Sequence, residues 1–410
     1  MRPLGPVPAG FGSRDGELAI GAHTASELVR QAGGTPLFVY SRAMLAARIA
    51  QLRAAMPERL AIHYAIKANS YAPMLDVMSE LVDGFDVASG GELTMAFKAG
   101  MSPQKISFAG PGKRDVELSA AIRHGVTLNL ESEGEAERAL AIAAREGLTP
   151  RLAIRVNPEF DLKGSGMKMG GGAKPFGVDA ERVPALARHL IRSGAEWRGF
   201  HIFAGSQALS ADAIIETQAN TLELAATLTR EIGVSLPHCN LGGGFGIPYF
   251  AGDEPLDVAR IGTALAERFA ALPPELADTK FCIELGRYLV GEAGVYLTEV
   301  LDRKVSHGEV FLVTDGGLHH QLAASGNFGT VVRRNYPVAI ATRYDAPAVE
   351  EASVVGCLCT PLDKLAEKGL FPHAEPGDLV AVFCAGAYGA SASPAHFLGQ
   401  GPARELLIYD

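Results

Sequence analysis

Residues 84–111 read GFDVASGGELTMAFKAGMSPQKISFAGP. The stretch opens on a short strand-like run, GFDVAS (84–89). It passes into GELTMAFKAG, whose apolar residues recur at 3–4 spacing and which ends in glycine, a common helix stop. It closes on a second strand-like run, KISFAGP (105–111). Strand, helix and strand in this order form one β–α–β unit, and the fold follows from how often the unit recurs.

It recurs on both sides. LAIHYAIKA (60–68) precedes it, and VTLNLE (127–132), RLAIRVNP (151–158), RGFHIFAG (198–205), HCNLGGGFG (238–246) and FCIELGR (281–287) follow. Between them lie helix-like segments such as DVELSAAIRHG, GEAERALAIAAREG and SADAIIETQANTLELAATLTREIG. Eight strands alternating with helices predict an α/β fold, a (β/α)8 barrel over 43–294, with a doubly wound open sheet as the alternative on pattern alone. After about 295 the rhythm changes. VYLTEVLDRK, EVFLVTDGG, YPVAIATRY, EASVVGCLC, DLVAVFCAG and RELLIYD are β-rich runs with no long helix between them. They predict a C-terminal antiparallel β domain, formed by 1–42 and 295–410, with TPLFVYS (35–41) joining it.

Composition narrows the function classes. Of 410 residues, 48% are hydrophobic and 20% charged, the balance of a globular chain with a sizeable core. A net charge of −9 argues against a nucleic-acid partner. No apolar run has the length of a signal peptide or a membrane span, so the expectation is a cytoplasmic protein. Five cysteines read as reduced thiols; Cys357 and Cys359 lack zinc spacing, and His319-His320 has no further ligand at metal spacing, so no metal is expected. Glycine is in excess, 47 residues, and clusters at 164–172, 242–246, 316–317 and 386–389.

Barrel enzymes carry their chemistry at the C-terminal ends of the strands. Those ends supply Lys67, Asp86, Arg155, then His201, Phe203, Ser206 and Gln207, then Gly242, Gly243 and Gly244, and finally Glu284 and Arg287. Three glycines after a strand leave backbone N–H groups open to an anion. With an arginine on the next strand and a lysine on the first, they describe a phosphorylated cofactor that condenses with an amine: pyridoxal 5′-phosphate. An ordinary tight turn and a rim lysine are the plain alternatives for each taken singly.

The motifs YAIKAN, FDVASGGEL, GGGFGI, ELGRY, the Cys359 region and GAYG together resemble the fold-type III pyridoxal-phosphate decarboxylases, the group of diaminopimelate, ornithine and arginine decarboxylases. The resemblance runs from about residue 36 to the C-terminus and implies an alanine racemase-like barrel, a β domain and a homodimer with shared active sites. It implies that Lys67 bonds covalently to the cofactor, and that Gly242, Gly243, Gly244, Ser206, Arg287 and Tyr388 grip its phosphate. Asp86 and Arg155 match the network around the lysine and the ring. Glu284 matches the carboxylate facing the pyridine nitrogen, which keeps that nitrogen protonated and the ring a strong electron sink. Alanine racemases carry an arginine there, so Glu284 favours decarboxylation over the alternative of a racemase. Cys359 matches the cysteine that returns a proton to Cα after CO2 leaves, with Asp363 in the substrate-recognition motif. In the family the equivalents of Tyr388 and Cys359 reach in from the other subunit. A non-catalytic homologue acting by association is a further class, disfavoured by the presence of Lys67, the glycines, Arg287 and Cys359.

Departures from the family bear on substrate. The Cys-Glu-Ser-Gly-Asp motif of diaminopimelate decarboxylases is Cys359-Thr360-Pro361-Leu362-Asp363, so the acidic residue that reads the distal end is absent. Their Arg-Pro-Ala-Leu-Tyr segment is replaced within 315–338, where Arg333 or Arg334 would supply the carboxylate-binding arginine. The cofactor-stacking histidine is Phe203, which still offers an aromatic face. KMGG, GGGFGIPYF, DGGLHH, LCTP and SPAHFLG are similar to a subgroup that includes a decarboxylase of glutamate tethered to an acyl carrier protein and decarboxylases associated with exopolysaccharide systems. A tethered substrate calls for a basic rim, which Lys163, Lys168, Lys174, Arg333 and Arg334 would form; solvated surface charge is the plain alternative.

Overall fold

The structure is a computed structural model that describes residues 1–326 and 333–409. Eight parallel strands close on themselves: β1 (Leu60–Ala65), β2 (Gly84–Val87), β3 (Ile106–Phe108), β4 (Thr127–Leu130), β5 (Arg151–Asn157), β6 (Glu196–Ile202), β7 (His238–Asn240) and β8 (Lys280–Leu285). Each pairs with its successor, and β8 returns to β1 through Phe281–Leu285 against Leu60–Tyr64. This is the (β/α)8 barrel, and the open doubly wound sheet is excluded.

Local chemistry explains the connections. Ser89 and Ser132 accept hydrogen bonds from the N–H of Glu92 and Glu135, both at 3.1 Å, and so start the helices Gly90–Lys98 and Glu133–Glu146. Gly125, Gly147 and Gly233 end three helices in the left-handed conformation, which glycine adopts without strain. The outer faces of the strands pack under the helices: Phe281 stacks on Phe269 at 4.7 Å. Each such buried ring stabilises the fold by about 1.5–3 kcal/mol.

The inner faces are polar. Glu284 pairs with His63, Asp86 with Ser107, and Arg155, His201, Asn240 and Cys282 run in register across neighbouring strands, while Asn129 donates to Ser107. A polar barrel interior is expensive unless its groups are paired or used, so these residues mark where to look for chemistry.

After β8 come β9 (Gly294–Ser306), β10 (Glu309–Thr314), β11 (Val338–Ile340), β12 (Glu350–Val355), β13 (Lys364–Phe371), β14 (Leu379–Val382) and β15 (Arg404–Ile408). The strand Leu37–Ser41 joins them by antiparallel pairing with β9, as its sequence suggested. The expectation of a purely antiparallel sheet is corrected: β10 pairs with β12 in parallel, and β15 runs parallel to Leu37–Ser41. Its core includes Leu37, Val39, Val295, Leu297, Ala381 and Phe383.

Contacts divide the chain into two compact units. One holds Ile49–Gly246 and Leu256–Gly286; the other holds Met1–Arg48, Ile247–Pro255 and Arg287–Asp410. Gly5 explains how Ile247–Pro255 joins the second: a Cβ there would stand 2.0 Å from the Tyr249 carbonyl oxygen. No helix among the described residues is long and apolar enough to cross a membrane.

Candidate active site

The C-terminal end of the barrel holds the first group of candidate residues. Lys67 does not lie in β1 but in the 3-10 turn Ile66–Ala68 just after it, and is exposed. Tyr64 steadies this turn by donating its hydroxyl to the Asn69 carbonyl at 2.8 Å. The Lys67 ammonium stands 5.8 Å from the centre of the Phe203 ring, bringing the candidate anchor and the candidate stacking face together.

Glu284 lies near the end of β8 with its side chain about 10% exposed. Its Oε2 accepts from Asn240 Nδ2 at 3.0 Å and lies 3.0 Å from His201 Nε2. Burial raises its pKa, but His201, Lys67 and Arg155 outweigh that and bring it down to about 2. The carboxylate is therefore ionised at neutral pH. Asn240 also accepts the N–H of Gly242 at 2.9 Å, so one side chain ties the carboxylate to the start of the glycine turn.

That turn demands glycine. Gly242 and Gly244 have φ of +73° and +86°. A Cβ on Gly243 would stand 1.9 Å from the Glu284 carbonyl oxygen, and one on Gly244 would stand 2.3 Å from that of Gly205. The N–H groups of Gly243 and Gly244 meet no acceptor among the described residues. Ser206, in the same end of the barrel, has a buried hydroxyl with no hydrogen-bond partner.

Asp86 is buried and neither of its oxygens is hydrogen-bonded; the nearest charge partner is His63 Nδ1 at 3.5 Å. Burial lowers the His63 pKa, but Asp86 first and Asp83 and Glu284 after it raise it above its ordinary value. Arg155 is paired with Glu131 at 2.9 Å and lies 5.0 Å from the Phe176 ring centre. Glu131 also accepts from Gly110 N at 2.6 Å and Gly177 N at 2.8 Å, so it fixes the arginine against two loops. His63, Glu131 and Asn240 were not singled out in the sequence. His63 lies within β1, Asn240 ends β7 and Glu131 directly follows β4, so each precedes or lies beside a strand end without standing in a recognisable motif.

The second group lies in the other unit. Arg287 donates to the Tyr249 hydroxyl at 3.0 Å and lies 4.9 Å from the Tyr388 ring centre. Tyr388 thus meets Arg287 of its own chain. Its φ of +54° is unusual for an aromatic residue and fixes the ring's direction. Burial pushes the Tyr249 pKa up to about 12 against the opposing pull of Arg287.

Cys359 is exposed in the turn after β12. Asp363 is buried and accepts from Leu318 N at 2.6 Å and Leu358 N at 2.9 Å. A Cβ on Gly317 or Gly356 would run into its carboxylate. Asp363 thereby ties two loops together. Arg333 is likewise turned inward, donating to the carbonyls of Ser325 and Lys364. Arg334 is exposed, 3.8 Å from the Phe250 ring centre and 3.8 Å from Asp253. Lys163 pairs with Glu216 at 2.6 Å, and the side chain of Lys168 lies outside the described residues, as does 327–332.

The family described as pyridoxal-dependent decarboxylase, pyridoxal binding domain, matches residues 42–291. Over 380 residues the chain is 38% identical to the L-glutamyl-[BtrI acyl-carrier protein] decarboxylase of Niallia circulans, covering 91% of this chain and 88% of that one. It is 33% identical over 401 residues to the diaminopimelate decarboxylase of Aquifex aeolicus, covering 96% and 91%. The diaminopimelate decarboxylase of M. jannaschii in co-complex with L-lysine superposes with a TM-score of 0.88 at 25% identity, covering 98% and 93%.

Proposed function

This chain belongs to the pyridoxal-dependent decarboxylases, and from that premise we propose a substrate and a role for each site residue. The reaction class is amino-acid decarboxylation with pyridoxal 5′-phosphate. The substrate we propose is an L-amino acid, or an amino-acid derivative, whose distal end differs from that of diaminopimelate. The ionised Glu284 carries the reading of the chemistry, and Thr360 carries that of the substrate.

The residues fit the cofactor. Two unspent N–H groups in a turn that admits no side chain suit a phosphate, with the orphaned Ser206 hydroxyl beside the same strand end. Arg287 and Tyr388 are assigned to the same phosphate. Lys67 is the covalent anchor and Phe203 the stacking face. Asp86 and Arg155 belong to the network around lysine and ring, with His63 and Glu131 holding them.

When bound, the cofactor supplies the electron sink that takes up the pair left as CO2 departs. The protein's part is positional and electrostatic. Glu284 holds a proton on the ring nitrogen, since an ionised carboxylate favours the charged form of its neighbour. Asn240 and His201 hold that carboxylate in place through Oε2, and Oε1 would be available to the ring nitrogen. Phe203 covers one face of the site and excludes water from it. Cys359, supplied by the second subunit of a homodimer, returns a proton to Cα. The same Glu284 counts against racemisation, which works best with a weaker sink.

A second reading narrows the first: the substrate is an aminoacyl group tethered to a carrier protein. Its support is the 38% identical relative, whose name gives such a substrate, and the missing acidic residue after Cys359. We further assign the enzyme to the cytoplasm. CO2 release should be assayed over free diaminopimelate, ornithine, lysine, arginine and glutamate, and over carrier-loaded aminoacyl thioesters. Turnover confined to carrier-bound substrate selects the second reading. Efficient turnover of diaminopimelate would overturn the substrate assignment, and release from none of them would overturn both.

A further inference from the structure

The N-terminal end of the same barrel, opposite the candidate site, holds a cavity of about 220 Å3 among the strand starts. At roughly 30 Å3 per water it has room for about seven waters, or for a small polyatomic ion and part of its shell. Lys105 stands immediately before β3, Arg198 is near the start of β6, and His238 and Lys280 are the first residues of β7 and β8; all four line the cavity.

Its charge is one-sided. The acidic lining residue, Asp83, is already committed to Arg53 at 3.0 Å and to the Ile62 N–H at 2.8 Å. Arg198 shares Glu196 with a second guanidinium: Arg198 Nη1 is 3.0 Å and Arg151 Nε 3.2 Å from the same oxygen. The buried Arg198 Nε has no partner. Arg198 Nη2 lies 2.5 Å from His238 Nε2, and arginine has no acceptor, so this histidine nitrogen is unprotonated and accepts. The His238 pKa agrees, lowered to about 4 by burial and then by Arg198, Lys280 and Arg151. A neutral histidine thus leaves Lys105, Lys280 and Arg198 facing one cavity, with Glu196 shared between Arg198 and Arg151 and Asp83 committed elsewhere, so the positive charge is in excess and favours an anion there.

We propose that this cavity is a binding site for a small doubly charged oxyanion, of the size of inorganic phosphate or a short dicarboxylate. Its lining includes Asn240 and His63, the side chains that hold Glu284 and face Asp86. An ion bound there therefore lies directly behind the polar layer of the candidate active site.

The test is calorimetric titration of the holoenzyme, whose glycine turn is already filled, with inorganic phosphate and separately with malonate, against chloride at matched ionic strength. One-site saturable binding of either anion is expected, weakened about tenfold or more in the Lys105→Glu/Lys280→Glu variant. Both lysines are exposed, and the milder Lys105→Gln/Lys280→Gln pair serves if charge reversal prevents folding. Whichever anion binds and is lost in the variant identifies the ligand class. No saturable binding of either, or equal affinity in wild type and variant, overturns the site.

Discussion

Glu284 shows how a single side chain can be both costly and useful. Burial alone opposes its charge, and the charged form persists because His201, Lys67 and Arg155 surround it. A folded pKa of about 2 against an ordinary 4.5 sets the sign of its pH dependence. The group contributes stability that is fully present above pH 4.5 and is lost as pH falls toward 2. In Glu284→Gln the hydrogen-bond acceptor for Asn240 survives but the charge does not. Acid unfolding of the cofactor-free protein, followed by circular dichroism, should therefore be shallower in the variant than in wild type across that window. Decarboxylation at neutral pH should fall about 10²–10³-fold, the usual loss when preorganised electrostatic stabilisation is removed. Unchanged turnover would remove Glu284 from its assigned role. This residue was legible in the sequence because ELGRY matched a known pattern. His63, Asn240 and Glu131 were not, since a polar residue in or just after a strand carries no mark of which partner it will find across the barrel.

The glycine turn after β7 is where element geometry decides function. Its conformation is set by carbonyls on neighbouring elements: Glu284 O meets any Cβ at position 243, and Gly205 O any at position 244. Backbone cannot rotate aside as a flexible side chain does. Gly243→Ala should therefore shift the turn, weaken cofactor binding about tenfold or more, and destabilise the protein by about 1–3 kcal/mol. Absorbance titration with pyridoxal 5′-phosphate and thermal unfolding measure the two effects. Gly91→Ala is the control: its Cβ would meet nothing closer than Ser89 Oγ at 3.6 Å, so cofactor affinity should hold. Equal effects from both substitutions would sink the argument. Glycine's role here was legible from three consecutive residues after a strand. The direction of the strands beyond β8 was not. A β-rich run has the same alternation in either direction, and the parallel pairing of β10 with β12 is decided by partners such as Val310 and Ala352, 42 residues apart.

At the scale of the molecule, the candidate residues divide between two compact units of one chain: Lys67 and Glu284 in one, Arg287, Tyr388 and Cys359 in the other. The alternation of strands and helices made the barrel readable from sequence. It did not reveal that Ile247–Pro255 groups with the β-rich unit, because that depends on the N-terminal segment packing against Tyr249. The proposed homodimer makes a sharp prediction from this division. If Cys359 serves the partner's Lys67, then Lys67→Ala and Cys359→Ala proteins, each inactive alone, should regain activity when unfolded together and reassembled. Random pairing makes half the dimers mixed, each with one site that holds both native residues, so about a quarter of wild-type activity should return. Tyr388 lies against Arg287 of its own chain, and so should behave differently. Mixing Lys67→Ala with Tyr388→Phe should return no more than the tyrosine variant's own residual activity. Restoration by the tyrosine pair and not the cysteine pair would reverse the assignment of which residue crosses the interface.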